Sequence, residues 1–431
     1  MEHVAGPARH PANPPPSQSP RPPLILPGIG GSMQTDPNNV TFTGTRWDLF
    51  IVLLRGYVLM IPTIGLNRFW LTTRKRRFYW GHTDIGGDAL EYSGDARQLL
   101  VGFLMALALF LPLYGLFFYL STQSVETIII GYGAVALGVW FLYGYAQYRA
   151  RDFRLSRTLW RGIRFDQGGN ALRYALRRFF WSLLNLVSLG LAYPFMAAGL
   201  WAYRYRHSWY GDRQFGFAGS WKQLALPYYL TWLAIAALLV TGLVLAQQAN
   251  LVSAPWEADP AIYGWLVLLF LAGFVLVTFY RAIEISRMFS AIRLGGAALS
   301  LRLPAFGLLG QYLLFVLGLL ACYLVLALGG FIVLGLVAGE AFAGGGFDLD
   351  ALMASMQSSI ATLLAIVTGY LLFFAAFAFV SELVLGYGFW RLMARGATIS
   401  GLASLDGVRA RAEDKALAGE GLADALNVGG Y

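Results

Sequence analysis

Six long apolar stretches constrain the fold of this chain more than any other feature of its sequence. Over 431 residues the chain is 57% hydrophobic and 13% charged, with a mean hydropathy of +0.57. The core of a soluble domain does not bury that much apolar surface. Each stretch also has the roughly 20 residues that a helix needs to cross a bilayer. We therefore expect an all-α polytopic membrane protein with six clear spans, at residues 99–120, 128–148, 226–246, 261–280, 307–338 and 360–385.

The chain also repeats itself at a distance of 125 residues. With this shift Gly65 falls on Gly190 and His82 on His207, without a gap between the two matches. Self-similarity at a fixed period indicates a duplicated structural unit. The proline-rich N-terminus has the composition of a disordered tail. The predicted organisation is a disordered tail over 1–39, membrane repeats over 40–164 and 165–305, a C-terminal membrane hairpin over 306–400 and a cytoplasmic tail over 401–431.

The charges of the connecting segments predict how the spans are oriented. Residues 121–126, 247–260 and 339–359 contain no lysine or arginine, whereas the other connections are basic. Basic connections stay on the cytoplasmic side of a membrane. We therefore expect three outward-facing helical hairpins, with the N- and C-termini in the cytoplasm.

Two further apolar stretches, residues 49–71 and 179–201, do not fit this scheme. Basic segments follow both of them, and the second has basic segments on both sides. Helix breakers interrupt each one, Pro62 and Gly65 in the first and Gly190 and Pro194 in the second. We interpret both as broken, re-entrant helices that enter and leave the membrane on the cytoplasmic face. The alternative is an ordinary kinked span.

A glycine followed by a capping residue recurs where the chain enters an apolar stretch. The pairs are Gly44-Thr45, Gly94-Asp95 and Gly219-Ser220, with a looser copy at Gly169-Asn170. Residues of alternating polarity precede several of these pairs, a pattern typical of short strands. Thr, Asp, Ser and Asn side chains cap the first free N–H groups of helices. Small cytoplasmic β-hairpins that lead into capped helices are therefore expected.

Several of these motifs resemble those of a known family. Residues 63–66 (Thr-Ile-Gly-Leu), 92–94 (Tyr-Ser-Gly), 160–165 (Trp-Arg-Gly-Ile-Arg-Phe) and 188–194 (Ser-Leu-Gly-Leu-Ala-Tyr-Pro) are similar to the YjgN-type family of bacterial inner-membrane proteins of unknown function. The resemblance extends from about residue 40 to the end of the chain. It implies a multi-pass protein of the bacterial inner membrane, and it implies no activity.

Three polar residues in or beside the apolar stretches form a candidate intramembrane site. Glu382 is the only acid within one of the six long stretches, while Arg55 and Asn185 lie in the two interrupted ones. Ionisable groups at membrane depth are costly and usually have a function. The alternative for Glu382 is a structural ion pair near the cytoplasmic end of its span.

Five arginines after the second long stretch are candidate contacts for lipid headgroups. Their spacing of three or four residues would form one stripe if the helix continued through them. Cations at this position attract the anionic inner leaflet. The net charge is +9, and the basic residues lie next to the predicted spans instead of forming a separate basic domain. We therefore expect lipids of the anionic inner leaflet, and no nucleic acid, as partners. The five are Arg151, Arg154, Arg157, Arg161 and Arg164.

The sequence contains no arrangement of residues typical of a catalytic or metal site. Cys322 is the only cysteine, and neither His82 nor His207 has a carboxylate or thiol at ligand spacing. We therefore expect no enzymatic activity, no metal and no cofactor. The predicted function is transport or lipid interaction through the broken helices that face the cytoplasm. The alternative is a non-transporting membrane scaffold or assembly factor.

Overall fold

A computed structural model describes residues 40–251, 259–344 and 346–411. The predicted disordered tail over 1–39 and most of the predicted tail over 401–431 lie outside these ranges. The described residues form one sheet and twelve α-helices. The helices are α1 (Arg46–Met60), α2 (Arg68–Gly81), α3 (Ala96–Ser121), α4 (Val125–Ser156), α5 (Ala171–Val187), α6 (Tyr193–Arg206), α7 (Trp221–Gln248), α8 (Pro260–Phe289), α9 (Ala305–Val337), α10 (Leu349–Ser358), α11 (Ile360–Val380) and α12 (Tyr387–Gly396).

Ten short strands form a single antiparallel sheet in which each strand pairs with the next one along the chain. The first and last strands also approach each other, so the sheet curls towards a closed barrel. The strands are β1 (Val40–Phe42), β2 (Thr83–Ile85), β3 (Asp88–Tyr92), β4 (Thr158–Trp160), β5 (Ile163–Gln167), β6 (Ser208–Tyr210), β7 (Arg213–Phe217), β8 (Ile292–Leu294), β9 (Ala297–Leu301) and β10 (Ala397–Ser400).

This sheet corrects the predicted fold class. The expected small β-hairpins are present as β2–β3, β4–β5, β6–β7 and β8–β9, but they are not separate units. Each hairpin pairs with the next, for example through Tyr92 opposite Thr158 and Phe217 opposite Ile292. The protein is therefore mostly helical and is not all-α. The physical reason is that strands of three to five residues are too short to be stable alone, whereas ten of them share one ladder.

Connections between the strands alternate between the two ends of the strands. Tight two-residue turns close the strand hairpins at one end of the strands, and helices connect the strands at the other end. In the β4–β5 turn both Arg161 and Gly162 have positive φ, which suits a hairpin of this length. Because neighbouring strands are antiparallel, all five helical hairpins leave the sheet at the same end of its strands. They are α1–α2, α3–α4, α5–α6, α7–α8 and the pair formed by α9 with α11–α12.

Six helices are long and apolar enough to cross a membrane, by length and composition. They form three of the five helical hairpins and overlap the six predicted spans. The last one continues from α11 through a π-helical turn, Ser381–Gly386, into α12. The chain is therefore a multi-pass membrane protein in its architecture.

The two interrupted apolar stretches form the remaining two hairpins, α1–α2 and α5–α6, which we call the first and second short hairpins. Their helices have 14 to 17 residues. At 1.5 Å per residue this is roughly 21–26 Å, less than the ~30 Å thickness of a bilayer core. The turns contain Ile64 and Gly65 in one hairpin, and Leu189 and Gly190 in the other, all with positive φ. Each stretch is therefore two antiparallel helices and not one kinked helix.

The predicted capping residues differ in what they do. The Thr45 hydroxyl accepts from the Asp48 backbone N–H at 3.1 Å, and Asp48 in turn accepts from the Thr45 N–H, so α1 begins with a capping box. Asn170 accepts from the first N–H groups of α5. Asp95 and Ser220 make no such side-chain bond. Two of the four expected caps are thus present, and both begin a short hairpin.

The interior of the sheet is a hydrophobic core that the C-terminal segment completes. Trp160 and Tyr210 from the strands pack there with Leu402, Leu405 and Val408, which follow β10. The Tyr210 hydroxyl donates to the Trp160 carbonyl oxygen at 3.0 Å, and burial raises the pKa of Tyr210 to about 12. The chain after β10 therefore fills the inside of the curled sheet.

Candidate functional site

Glu382 lies in the π-helical turn between α11 and α12 and contacts the first short hairpin. Its Oε2 is 2.7 Å from Nζ of Lys75, and the Tyr79 hydroxyl donates to Oε1 at 2.9 Å. Lys75 and Tyr79 are four residues apart on α2, so both face the same partner. Turns of π-helix occur frequently at functional sites. Here the turn brings a carboxylate against a lysine and a tyrosine of the short hairpin.

A second carboxylate, Glu284 on α8, makes a similar contact with the second short hairpin. The Tyr193 hydroxyl of α6 lies 3.1 Å from each oxygen of Glu284, and Nη1 of Arg281 lies 2.8 Å from Oε2. Glu284 is only 3% exposed. The nearby Tyr280 hydroxyl is buried and has no hydrogen-bond partner among the described residues. Each short hairpin is therefore joined to a long hairpin by a tyrosine, a carboxylate and a cation.

Sequence reasoning missed Glu284 because the acid lies just beyond the end of an apolar stretch. A signal was available in the spacing of charges. Arg281 and Glu284 are three residues apart and follow Tyr280, and Arg149 and Asp152 follow Tyr148 in the same pattern. The second pair also forms an ion pair, at 2.9 Å. Recurrence of this pattern in two long helices would have identified Glu284.

Arg55 lines a cavity of about 520 Å³ on the first short hairpin. A second guanidinium, that of Arg74 on α2, lines the same cavity. Within the described ranges neither arginine has a hydrogen-bond or ion-pair partner. The remaining lining residues are apolar: Ile51, Val52, Val58 and Leu59.

Asn185 belongs to the second short hairpin and does not line the cavity of Arg55. Its backbone carbonyl oxygen accepts from the Gly190 N–H at 2.7 Å and closes the turn. Its Oδ1 is buried without a hydrogen-bond partner in the part of the chain that the structure describes. The three predicted residues of the intramembrane site therefore lie in different surroundings: Arg55 in the first short hairpin, Asn185 in the second and Glu382 against α2.

The five arginines proposed as lipid contacts do not form one helical stripe. The helix α4 ends at Ser156, so Arg161 lies in a β-turn and Arg164 in β5. Arg161 pairs with Asp88 at 2.6 Å and with Asp406 at 2.8 Å, and the hydrogen bond to Asp88 raises its pKa. Other members also contact protein groups: Arg151 binds Gln167 and Ser208, and Arg157 binds Gln98. Lipid contact by the set of Arg151, Arg154, Arg157, Arg161 and Arg164 stays a prediction.

His82 and His207, which match under the 125-residue shift, are the C-cap residues of α2 and α6. Nδ1 of His82 lies 2.8 Å from the Phe78 carbonyl oxygen, and Nδ1 of His207 lies 2.7 Å from that of Tyr203. Each ring nitrogen can donate to a carbonyl oxygen in the last turn of its helix, and the Phe78 oxygen also accepts from the His82 backbone N–H at 3.2 Å. Among the described residues no three His, Cys, Asp or Glu side chains lie together in a way that could hold a metal ion.

Replacing Glu382 with glutamine tests how much its ion pair with Lys75 stabilises the protein. We expect Glu382→Gln to lower the free energy of unfolding by about 2 kcal/mol, because Lys75 would lose its charged partner in a part-buried position. Thermal unfolding of the purified protein in detergent measures the change. The matched control is Glu340→Gln, which alters an exposed acid with no side-chain partner in the described residues. Equal unfolding temperatures for the two variants would show that the contact is not stabilising.

One comparison with known proteins gives a match. A family profile described as "Bacterial protein of unknown function (DUF898)" matches residues 37–323. The matched range begins just before β1 and ends within α9, so it includes both short hairpins and two of the three long ones. No curated protein and no solved structure matches the chain significantly.

Proposed function

The chain belongs to the DUF898 family of bacterial proteins of unknown function, the YjgN-type family that its motifs resemble, and from this premise we propose a function in lipid interaction. In this proposal the protein lies in the bacterial inner membrane. Its two short hairpins insert into the cytoplasmic leaflet as re-entrant elements and contact phospholipid there. The proposal includes no enzymatic activity and no cofactor.

The observation that carries the proposal is the shape of the short hairpins together with their exposed apolar tips. Each hairpin begins and ends at paired strand residues, Phe42 opposite Thr83 and Gln167 opposite Ser208. At the tips, Ile64 is 93% exposed and Leu189 is 78% exposed. Large apolar side chains exposed to this extent are unfavourable in water and favourable among acyl chains. The tips therefore suit the interior of a membrane that the hairpins are too short to cross.

The turns of the short hairpins also satisfy their own backbone, as irregular structure at membrane depth requires. In the first hairpin the Gly65 N–H donates to the Met60 carbonyl oxygen at 2.8 Å, and Nδ2 of Asn67 donates to that of Gly56 at 2.7 Å. In the second, side chains of α7 donate hydrogen bonds to the carbonyl oxygens of the turn. The Trp232 indole donates to the Leu189 carbonyl oxygen at 2.8 Å.

Charge supports a cytoplasmic position for the sheet. All five helical hairpins leave the sheet at the same end of its strands, and most of the arginines lie in the parts of the helices near the sheet or in the sheet itself. The far ends of the long hairpins, around Thr122 and in the region of α10, carry no lysine or arginine. By the positive-inside rule the sheet and residues 401–411 would lie in the cytoplasm. We also propose that the two short hairpins descend from one duplicated unit, because the 125-residue shift superimposes their turns.

Cysteine accessibility tests the membrane position. In a Cys322→Ser background, we expect Thr122→Cys to react with a membrane-impermeant maleimide in intact cells. Arg204→Cys, near the end of α6, and Arg213→Cys, in β7, should react only after permeabilisation. Labelling of either position from outside intact cells would overturn the re-entrant arrangement, because the hairpin would then cross the membrane.

Lipid contact is tested separately, by quenching. A fluorophore attached to Ile64→Cys or Leu189→Cys should be quenched strongly by acyl-chain-labelled phosphatidylcholine in reconstituted vesicles. The control is Gly407→Cys, on the opposite side of the sheet, where we expect little quenching. The alternative, a scaffold whose hairpins are covered by protein, predicts no more quenching at the tips than at Gly407→Cys.

A further inference from the structure

We propose that the cavity between α1 and α2 binds the phosphate group of an anionic membrane phospholipid through Arg55 and Arg74. This inference rests on the proposed position of the first short hairpin in the cytoplasmic leaflet, and it goes further by naming a ligand and a site. The cavity has a volume of about 520 Å³ and is lined by both guanidinium groups.

Among the described residues, Arg55 and Arg74 lack the partners that the neighbouring cations of α2 have. The residues that follow Arg74 are all engaged: Lys75 with Glu382, Arg76 with the Tyr92 hydroxyl at 2.8 Å, and Arg77 with the Gly94 carbonyl oxygen at 3.1 Å. In the described part of the chain Arg55 and Arg74 have no such contact. Both side chains are exposed, so their N–H donors are open to an anion from the headgroup layer.

Apart from the two guanidinium groups, the wall of the cavity is apolar. Guanidinium groups donate in a planar fork that matches two oxygens of a phosphate. The other lining residues, Ile51, Val52, Val58 and Leu59, offer no polar side chain. A free phosphate ion would leave this apolar wall uncovered, whereas a phospholipid covers it with the start of its acyl chains. The composition of the wall therefore favours the lipid as the source of the phosphate.

The position of Arg55 along α1 suits the level of the lipid headgroups. Arg55 lies between Trp47, near the start of α1, and the apolar turn at Ile64. Tryptophans of membrane proteins are enriched at the level of the headgroups, and long basic side chains reach towards that level. Arg55 is eight residues beyond Trp47, or roughly 12 Å along the helix. The long side chains of Arg55 and Arg74 can therefore bridge from the hairpin to the phosphate layer.

The second short hairpin supplies an internal comparison. The 125-residue shift places Phe180 at the position of Arg55 and Gly199 at that of Arg74. The two-arginine cavity is therefore specific to the first hairpin. Arg173 and Arg206 of the second hairpin provide a control pair that does not line this cavity. Both are exposed, and their side chains have no partner within the described ranges.

Native mass spectrometry of the full-length protein tests the site. The protein is released from nanodiscs that contain phosphatidylcholine with or without phosphatidylglycerol. We expect the wild type to retain phosphatidylglycerol preferentially, and the double variant Arg55→Gln/Arg74→Gln to retain it about tenfold less. The control Arg173→Gln/Arg206→Gln removes the same charge and should behave as the wild type. Equal retention by the two double variants would overturn the proposal.

A conservative variant and a second ligand complete the test. The variant Arg55→Lys/Arg74→Lys should fold and keep part of the preference, so loss of binding is distinguished from loss of structure. Titration with inorganic phosphate in the absence of lipid identifies the source of the anion. Arginine-dependent binding of inorganic phosphate without a preference for phosphatidylglycerol would overturn the lipid assignment. If cysteine labelling confirms the re-entrant hairpins while retention is unaffected by the arginines, only this inference fails and the proposed function stands.

Discussion

Replacing Glu284 with alanine is expected to destabilise the protein by about 3 kcal/mol. Glu284 is almost fully buried and accepts hydrogen bonds from Tyr193 and Arg281. Removing the carboxylate leaves the part-buried Tyr193 hydroxyl without its acceptor and Arg281, whose side chain is 51% exposed, without its partner; an unsatisfied buried donor costs roughly 1–3 kcal/mol. Because Tyr193 lies on α6 and Glu284 on α8, the loss should also loosen the second short hairpin. Thermal unfolding in detergent measures the stability change.

The matched control for this variant is Glu91→Ala. Glu91 is an exposed acid on β3 with no side-chain partner in the described residues, so its neutralisation should change the unfolding temperature little. Tyr193→Phe removes the hydroxyl alone and should account for part of the effect. In a double-mutant cycle, Glu284→Ala and Tyr193→Phe should show a coupling of about 1 kcal/mol or more. Simple additivity would show that the contact is not the source of the stability.

Gly401→Ala is expected to displace the C-terminal segment from the interior of the sheet. Gly401 has a φ of +73°, where a side chain is strained, and an added Cβ would lie 2.5 Å from the Gly296 carbonyl oxygen. That atom is backbone and cannot turn away. The left-handed conformation alone costs roughly 1–2 kcal/mol in a residue other than glycine, and the contact adds to it. We therefore expect a destabilisation of at least about 2 kcal/mol.

Proteolysis reports the displacement directly. If Leu402, Leu405 and Val408 leave the core, trypsin should cleave at Arg409 and Arg411 faster than in the wild type. The matched control is Gly407→Ala in the same segment, because an added Cβ there meets open space. Cleavage of Gly401→Ala at the rate of Gly407→Ala would show that the segment tolerates the strain without moving.

Local features of the hairpins followed from the residues themselves. The breakers Pro62 and Gly65 predicted that the first interrupted stretch could not be one straight helix, and the structure has a turn there with Gly65 at a φ of 82°. Thr45 caps the start of α1, as its position after Gly44 indicates. These features depend on neighbours within four residues, so hydrophobicity, backbone freedom and local hydrogen bonding are enough to predict them.

The polar contacts could not be predicted in the same way. Lys75 and Glu382 are 307 residues apart in the chain and meet only because the sheet brings α2 beside the last long hairpin. The spacing of Arg151, Arg157 and Arg161 predicted a helical stripe, but the chain leaves the helix after Ser156 to enter the sheet. The pattern of charges is compatible with either geometry until the strand pairing is known.

The sequence by itself predicted six apolar stretches long enough to span a membrane, two interrupted stretches and basic segments beside them. Those properties depend on the length of apolar runs, on helix breakers and on the placement of arginines, all of which act locally. Only the tertiary structure decided that the strands form a single ten-stranded sheet, that Glu284 is buried against Tyr193, and that Arg55 and Arg74 share one cavity. The physical reason is that strands of three to five residues carry little information about their partners. Their pairing is set by the joint packing of five helical hairpins at one end of the strands.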